Sequence, residues 1–186
     1  MIPENVSEFV GMPKIARLSR ECVITEKIDG TNAQICISDA GEFRVASKNR
    51  WITLKEDNYG FARWAFEHEA ELRTLGPGRH FGEWWGCGIQ RGYGLQEKRF
   101  SLFNVHRWGD VRPACCGVVP VLFRGIFDTV RIEIVRDVLK HEGSVAAPGF
   151  SNPEGIVVYH AASKTLFKKT ILNDERPKGE ASGSES

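Results

Sequence analysis

The chain has 186 residues, 25 basic and 24 acidic side chains, a formal charge of +1 and 41% hydrophobic residues. That is one domain's length, enough to bury its own core, and the balanced charge excludes a global field drawing it to nucleic acid or an anionic membrane. Any polyanion site must therefore be a local cluster.

No run approaches the roughly 18 apolar residues of a membrane helix, and Glu4 and Glu8 stand where a secretory leader would be apolar. The expectation is a soluble protein of a reducing, cytoplasmic compartment. Cys22, Cys36, Cys87, Cys115 and Cys116 are odd in number, and the histidines at 68, 80, 106, 141 and 160 are scattered. Neither a disulfide framework nor a zinc site fits.

In chain order, Val6 to Arg20 reads as a loop and a short element, with Pro13 breaking any long helix. Strands follow over Cys22 to Ile28, Ala33 to Ser38 and, after the Asp39-Ala40-Gly41 turn, Phe43 to Ser47. These three are expected to pair as one antiparallel unit. Lys27 stands where the first gives way to the tight polar turn Asp29-Gly30-Thr31-Asn32. Ser47-Lys48-Asn49-Arg50 is either a solvated loop or, if the three strands pair, a phosphate-contacting corner near Lys27.

Between Glu56 and Leu75, Phe61, Trp64, Ala65, His68, Leu72 and Leu75 recur at helical spacing, until Gly76-Pro77-Gly78 stops the pattern. This predicts an amphipathic helix with a core-packing aromatic stripe. Arg79 to Trp85 reads as a strand holding Glu83, an acid among aromatic residues that is costly to bury without a partner such as a ligand hydroxyl. Gly86 to Gly94 is too glycine-rich for regular structure and suits a loop closing over a ligand.

Phe100 to Trp108 and Val118 to Ile126 read as strands, and Asp128 to Gly143 as a helix capped by those two residues. Pro153 to Tyr159, beginning with the acid Glu154, and Thr165 to Thr170 are the last strands. Residues 173–186, rich in Glu, Ser, Gly and Lys, read as a disordered tail behind a single domain over 1–172. Strands outnumber helices and join largely as hairpins, so the expected class is α+β, antiparallel sheets with flanking helices.

Lys27-x-Asp29-Gly30, Phe81-Gly82-Glu83, Phe103, Pro153-Glu154-Gly155 and Phe167-Lys168 stand in one order. Each motif alone is weak. Together they resemble the covalent nucleotidyltransferase superfamily of ATP-dependent ligases and messenger-RNA capping enzymes, which is unrelated to ATP-grasp enzymes. Glu26 to Asn32 and Gly82 to Gln90 are most similar to the phage-type nick-sealing RNA ligases. The resemblance covers Cys22 to Thr170 and implies a nucleotidyltransferase (adenylation) domain.

It also implies roles. Lys27 is the amine that attacks the α-phosphorus of ATP, expels pyrophosphate and carries AMP. A lysine in water, with a pKa of about 10.4, is protonated and cannot attack. Nearby cations and a bound metal are what frees it, and Lys168 is the neighbouring cation that also touches the α-phosphate. Glu154 holds Mg²⁺ or Mn²⁺. Glu83 accepts from ribose hydroxyls, Phe103 stacks on adenine, and Glu26 with its backbone contacts the base. Asp29 and Gly30 form the nucleotide-binding turn, Asn32 organises metal or phosphates, and Gln90 matches a further polar position. Taken singly, Glu83 also reads as an acid bonded to backbone amides, Phe103 as a core aromatic, Glu154 as a strand-end charge and Lys168 as half of an ion pair.

The resemblance implies an ATP-dependent RNA ligase that moves AMP from Lys27 to a 5′-phosphate end and joins that end to a 3′-hydroxyl. The rival expectations are a minimal DNA ligase, a capping guanylyltransferase, or an inactive nucleotide or nucleic-acid sensor. Two positions depart from the pattern. Lys48 stands where such ligases carry an arginine for the nucleic-acid phosphate, keeping charge but losing the bidentate fork. Lys168-Lys169-Thr170 replaces Lys-x-Lys, so Lys169 or Lys164 supplies the second charge or the grip is weaker. Too few residues follow Lys169 for an OB-fold or helical module. The expectation is a lone adenylation domain, with an accessory protein in place of that module.

Overall fold

The computed structural model describes residues 11–109 and 111–174. The expectations for Glu4 and Glu8, and for the tail beyond residue 174, lie outside the described residues. Residues 11–20 form no helix or strand.

Among the described residues, ten strands and three α-helices follow. They are β1 Glu21–Lys27, β2 Thr31–Ile37, β3 Phe43–Ser47, β4 Trp51–Ile52, α1 Phe61–Glu67, α2 Glu69–Leu72, β5 Gly78–Gly86, β6 Lys98–Leu102, β7 Cys116–Val118, β8 Val121–Ile126, α3 Thr129–Glu142, β9 Gly155–His160 and β10 Thr165–Thr170. They build a four-stranded sheet, β10-β9-β1-β8, and a six-stranded sheet, β4-β3-β2-β5-β6-β7. All pairs are antiparallel except β6 with β7. This is a mixed α/β fold of antiparallel sheets with few helices, as the sequence predicts.

Sheet membership corrects one expectation. β1 does not pair with β2; it lies between β8 and β9, while β2 and β3 pair in the other sheet. The turn at Ile28-Asp29-Gly30 carries the chain from one sheet to the other. A Cβ at Gly30 would sit 2.4 Å from the Trp84 carbonyl oxygen, so only glycine lets the turn lie against β5.

β4 lies where no strand is expected, β1, β2, β5 and β9 shift by one or two residues from their predicted bounds, and three boundaries differ by more. The apolar stretch Val118 to Ile126 is two strands in two sheets, because Pro120 has no N–H for a ladder, and its carbonyl instead accepts from the Glu26 amide at 2.9 Å. The strand predicted to Trp108 ends at Leu102, where the Asn104 side chain accepts from the Arg107 amide and bends the chain. The helix predicted from Glu56 starts only at Phe61, after Gly60 at φ 83°, and breaks at His68 before a 3₁₀ turn at Arg73–Leu75. Asp57 accounts for the late start, since its carboxylate accepts from the amides of Asn58, Ala62 and Arg63. α3 keeps both expected caps, with the Asp128 side chain accepting from the Val130 and Arg131 amides.

The six-stranded sheet buries one face, through Ile35, Val45, Trp84, Phe100 and Leu102, against Phe61, Ala65 and Leu72 of the short helices. The four-stranded sheet packs Cys22, Ile24, Ile156 and Val158 on Leu139 of α3. Ile28, Trp85, Tyr93, Val119 and Ala147 form a third cluster. Side chains alternate along a strand, so Lys27 of β1 and Asn32 of β2 project from the faces opposite these helix-packed ones.

Candidate active site

Lys27 ends β1, and Glu154 immediately precedes β9, whose first residue, Gly155, lies opposite Lys27. Their side chains form an ion pair, with Lys27 21% and Glu154 3% exposed. Lys168 of β10 lies opposite Val157, two residues from Gly155, so it projects from the same face as Lys27. Lys169 projects from the other face, where its amine pairs with Glu133 of α3 at 2.8 Å and lies 3.6 Å from Asp174. Of the two residues considered for a second phosphate-binding charge, Lys169 is thus engaged away from Lys27. Lys164 stands in the turn between β9 and β10.

The opposing wall comes from the six-stranded sheet. Glu83 of β5 lies opposite Asn32 of β2. Its Oε1 accepts from the Gly30 amide and its Oε2 from Asn32 Nδ2, both at 3.0 Å. Burial raises the Glu83 carboxyl to about 7; these two donors and the Lys27 charge oppose that rise, and Glu154 adds to it. Glu83 thus senses both members of the ion pair on the other sheet, which brings the two walls into one site.

A carboxyl raised from 4.5 to about 7 gives a testable pH dependence. Between those values the folded chain binds more protons than the unfolded one, so stability falls as pH rises, with the favourable contribution complete only below 4.5. The full loss is on the order of 3 kcal/mol. Glu83→Gln is expected to flatten this slope, and denaturant midpoints at about pH 5 and about pH 8 measure it. An unchanged slope in the variant would place the titration elsewhere.

Arg91, in the glycine-rich loop, joins the segments that hold Lys27 and Glu154. Its Nε donates to Asp29 Oδ2 at 3.0 Å, and one terminal nitrogen donates to the Asn152 carbonyl and side chain, both at 2.9 Å. The Asp29 amide donates to the Tyr93 hydroxyl at 2.8 Å. Ile89 and Tyr93 are buried, so this loop is anchored in the core rather than poised to close as the sequence suggests. Its one short regular piece is a 3₁₀ turn at Gly92–Gly94.

The Glu26 carboxylate accepts from the Ser144 hydroxyl at 2.6 Å and from the Val145 and Ala146 amides, both at 2.8 Å. Its side chain therefore ties β1 to the loop after α3, and its amide is held by the Pro120 carbonyl. Glu26→Ala is expected to lower the thermal midpoint, because it strands the buried Ser144 hydroxyl and two partly buried amides. A calorimetric midpoint equal to wild type would contradict that bracing role.

Phe103 follows β6, and its amide donates to the Phe81 carbonyl at 3.0 Å. It is 40% exposed, not a core aromatic. Lys48 lies in the three-residue connection, 48–50, between β3 and β4 and is exposed. The pairing expected to bring it to Lys27 does not occur, since β1 lies in the other sheet.

A family model described as RNA ligase matches residues 20–171. The chain belongs to the RNA ligase family. Among solved structures, this RNA ligase family chain is similar to mutants of Naegleria gruberi RNA ligase. One, with AMP and Mn, has a TM-score of 0.62 at 20% identity, and another, with ATP and Mn, 0.61 at 19%. The same organism's RNA ligase with PPi gives 0.60 at 19%. All three matches cover 82% of this chain and 50% of the other, so the chain spans about half their length. At that identity the likeness shows the fold. No curated protein matches significantly.

In this RNA ligase family chain the fold brings together Lys27, Glu154, Glu83, Asn32 and the Asp29-Gly30 turn, with Lys168 on the Lys27 face. Arg91, Tyr93, Asn152 and Ser144 were not predicted from sequence. The one local signal was an arginine and a tyrosine amid glycines at 86–94.

Proposed function

We propose that this chain is an ATP-dependent RNA ligase of the phage-type nick-sealing kind, with residues 1–172 as its adenylation domain. The observation that carries the reading is the Lys27–Glu154 ion pair, within electrostatic reach of Glu83 on the other sheet. Lys27 Nζ, its proton released to solvent under the influence of the Lys168 charge, attacks the α-phosphorus. A nitrogen–phosphorus bond forms as the bond to the departing pyrophosphate breaks. Lys168 offsets charge gathering on the α-phosphate. Glu83 and Phe103 hold ribose and adenine, the Glu26 backbone meets the base, and Asp29, Gly30 and Asn32 shape the phosphate end.

Among the described residues no group of three or more His, Cys, Asp or Glu is arranged to hold a metal. Glu154, a hard oxygen donor, would hold a hard ion such as Mg²⁺ or Mn²⁺. Such an ion supplies charge neutralisation at the α-phosphate. AMP then passes to a 5′-phosphate, and a 3′-hydroxyl displaces it to form the phosphodiester. Lys48 contacts the polynucleotide phosphate, and nick sealing draws on an accessory module, in the same or another polypeptide. The five free cysteines fit a reducing compartment such as the cytoplasm, and no described helix is long and apolar enough to cross a membrane.

The test is a chase. Protein labelled with α-³²P-ATP should pass its label to a 5′-phosphorylated RNA nick and release it on sealing. A label derived from GTP in preference to ATP, or one sealed only into DNA, would overturn the assignment.

A further inference from the structure

The strand register places a row of aromatic residues beside the nucleotide site. Trp51 lies opposite Ala46, Ala46 opposite Gln34, and Gln34 opposite Phe81, while Phe103 bonds the Phe81 carbonyl. Residues opposite one another in antiparallel strands share a face, so Trp51 and Phe81 stand in one line across the four strands from β4 to β5, and Phe103, just after β6, extends it through its bond to the Phe81 carbonyl. At the usual strand spacing that line is roughly 20 Å long. Its aromatic side chains are 40%, 48% and 40% exposed, whereas their strand neighbours Ile52, Leu102 and Trp84 are buried on the other face.

Two polar rows flank this line. On one side Glu83 lies opposite Asn32, the wall of the candidate active site. On the other, Arg44 lies opposite Cys36, and Cys36 opposite Arg79. The Arg44 guanidinium sits 3.9 Å and that of Arg79 5.8 Å from the Trp51 ring centre. The acid nearest Arg44 is Glu42, at 3.8 Å and itself largely exposed, so the cation is not neutralised by burial.

A line of half-exposed rings with guanidinium groups along one edge offers faces to bases and charge to phosphates. We infer that this face is the track for an unpaired stretch of RNA, its bases stacked on Phe81 and Trp51 and its phosphates along Arg44 and Arg79. Only splayed bases can lie flat on these rings; a duplex keeps its own stacked. The track runs directly into the row that holds Glu83, so a strand lying along it leads to the proposed nucleotide site. The identity of the strand as RNA rests on the proposed function; the stacking surface does not.

The experiment measures fluorescence anisotropy of a labelled, 5′-phosphorylated oligoadenylate about ten nucleotides long, against a blunt RNA duplex of equal length. Trp51→Ala and Phe81→Ala should each weaken single-strand binding by about ten-fold, with Trp51→Phe restoring most of it. Arg44→Gln and Arg79→Gln should each flatten the dependence of log K on log salt by about 0.7. Single-strand affinity equal to wild type in folded Trp51→Ala and Phe81→Ala variants overturns the inference. So does an equal loss of duplex binding. Adduct formation on wild-type Lys27, followed by mass, separates the two readings. An adduct without row-dependent RNA binding removes the track alone, and row-dependent binding without any adduct removes the ligase reading while the track stands.

Discussion

Lys27→Arg is expected to abolish the AMP adduct that intact-mass spectrometry detects on the wild-type protein incubated with ATP and Mg²⁺. Arginine is the informative replacement because of what surrounds the amine. Glu154 is 3% exposed and bonded to Lys27, so alanine withdraws a cation from a buried carboxylate, at a cost of about 3 to 5 kcal/mol. Loss of adduct in Lys27→Ala is then confounded with loss of fold. A guanidinium preserves the charge against Glu154 but stays protonated and does not attack phosphorus. The folded Lys27→Arg protein should still bind ATP in calorimetry while carrying no added mass. An adduct of wild-type yield on it would assign the nucleophile to another side chain and remove the basis for the ligase reading.

Arg91→Leu is expected to slow adenylate formation by about 10²-fold, the usual effect of displacing reacting groups by about an ångström. Arg91 acts through others, so it is a positioning residue. One end of its fork holds Asp29, two residues after Lys27, and the other holds Asn152, two residues before Glu154. Without it the two segments lose their shared anchor, and the amine and the carboxylate no longer keep a common geometry. Lysine should not rescue, since a single ammonium cannot reproduce the divergent bonds of a guanidinium. The kinetic split distinguishes this role from bracing alone: kcat should fall while KM for ATP changes little, and the thermal midpoint should drop only modestly. Equal loss in KM and kcat, or full rescue by Arg91→Lys, would count against it.

Some of this was legible in the chain. β3 and β10 have the predicted bounds, and α3 begins and ends at the expected Asp128 and Gly143, because alternation and capping depend on residues a few positions apart. The sheet partner of β1 was not legible. Its pairing with β8 and β9 joins residues roughly 100 and more positions away, and hairpin signals favour the neighbour next in sequence. The two-way split at Pro120 was concealed by an apolar run that suits one strand or two. The candidate site divides in the same way. Lys27, Glu83, Glu154 and Lys168 announce themselves by motif, but the meeting of Arg91 with Asp29 and of Glu26 with Ser144 spans 62 and 118 positions.

Residue types and their near neighbours thus determined most of the strands, the long helix, the family and the chemistry that an amine and a few carboxylates offer. Only the folded chain decided that Lys27 meets a buried carboxylate, that Lys169 turns away from it, and that Trp51, Phe81 and Phe103 line up. The reason is that side-chain direction within one strand follows from local alternation, while which strands lie side by side is set by long-range burial and hydrogen bonding.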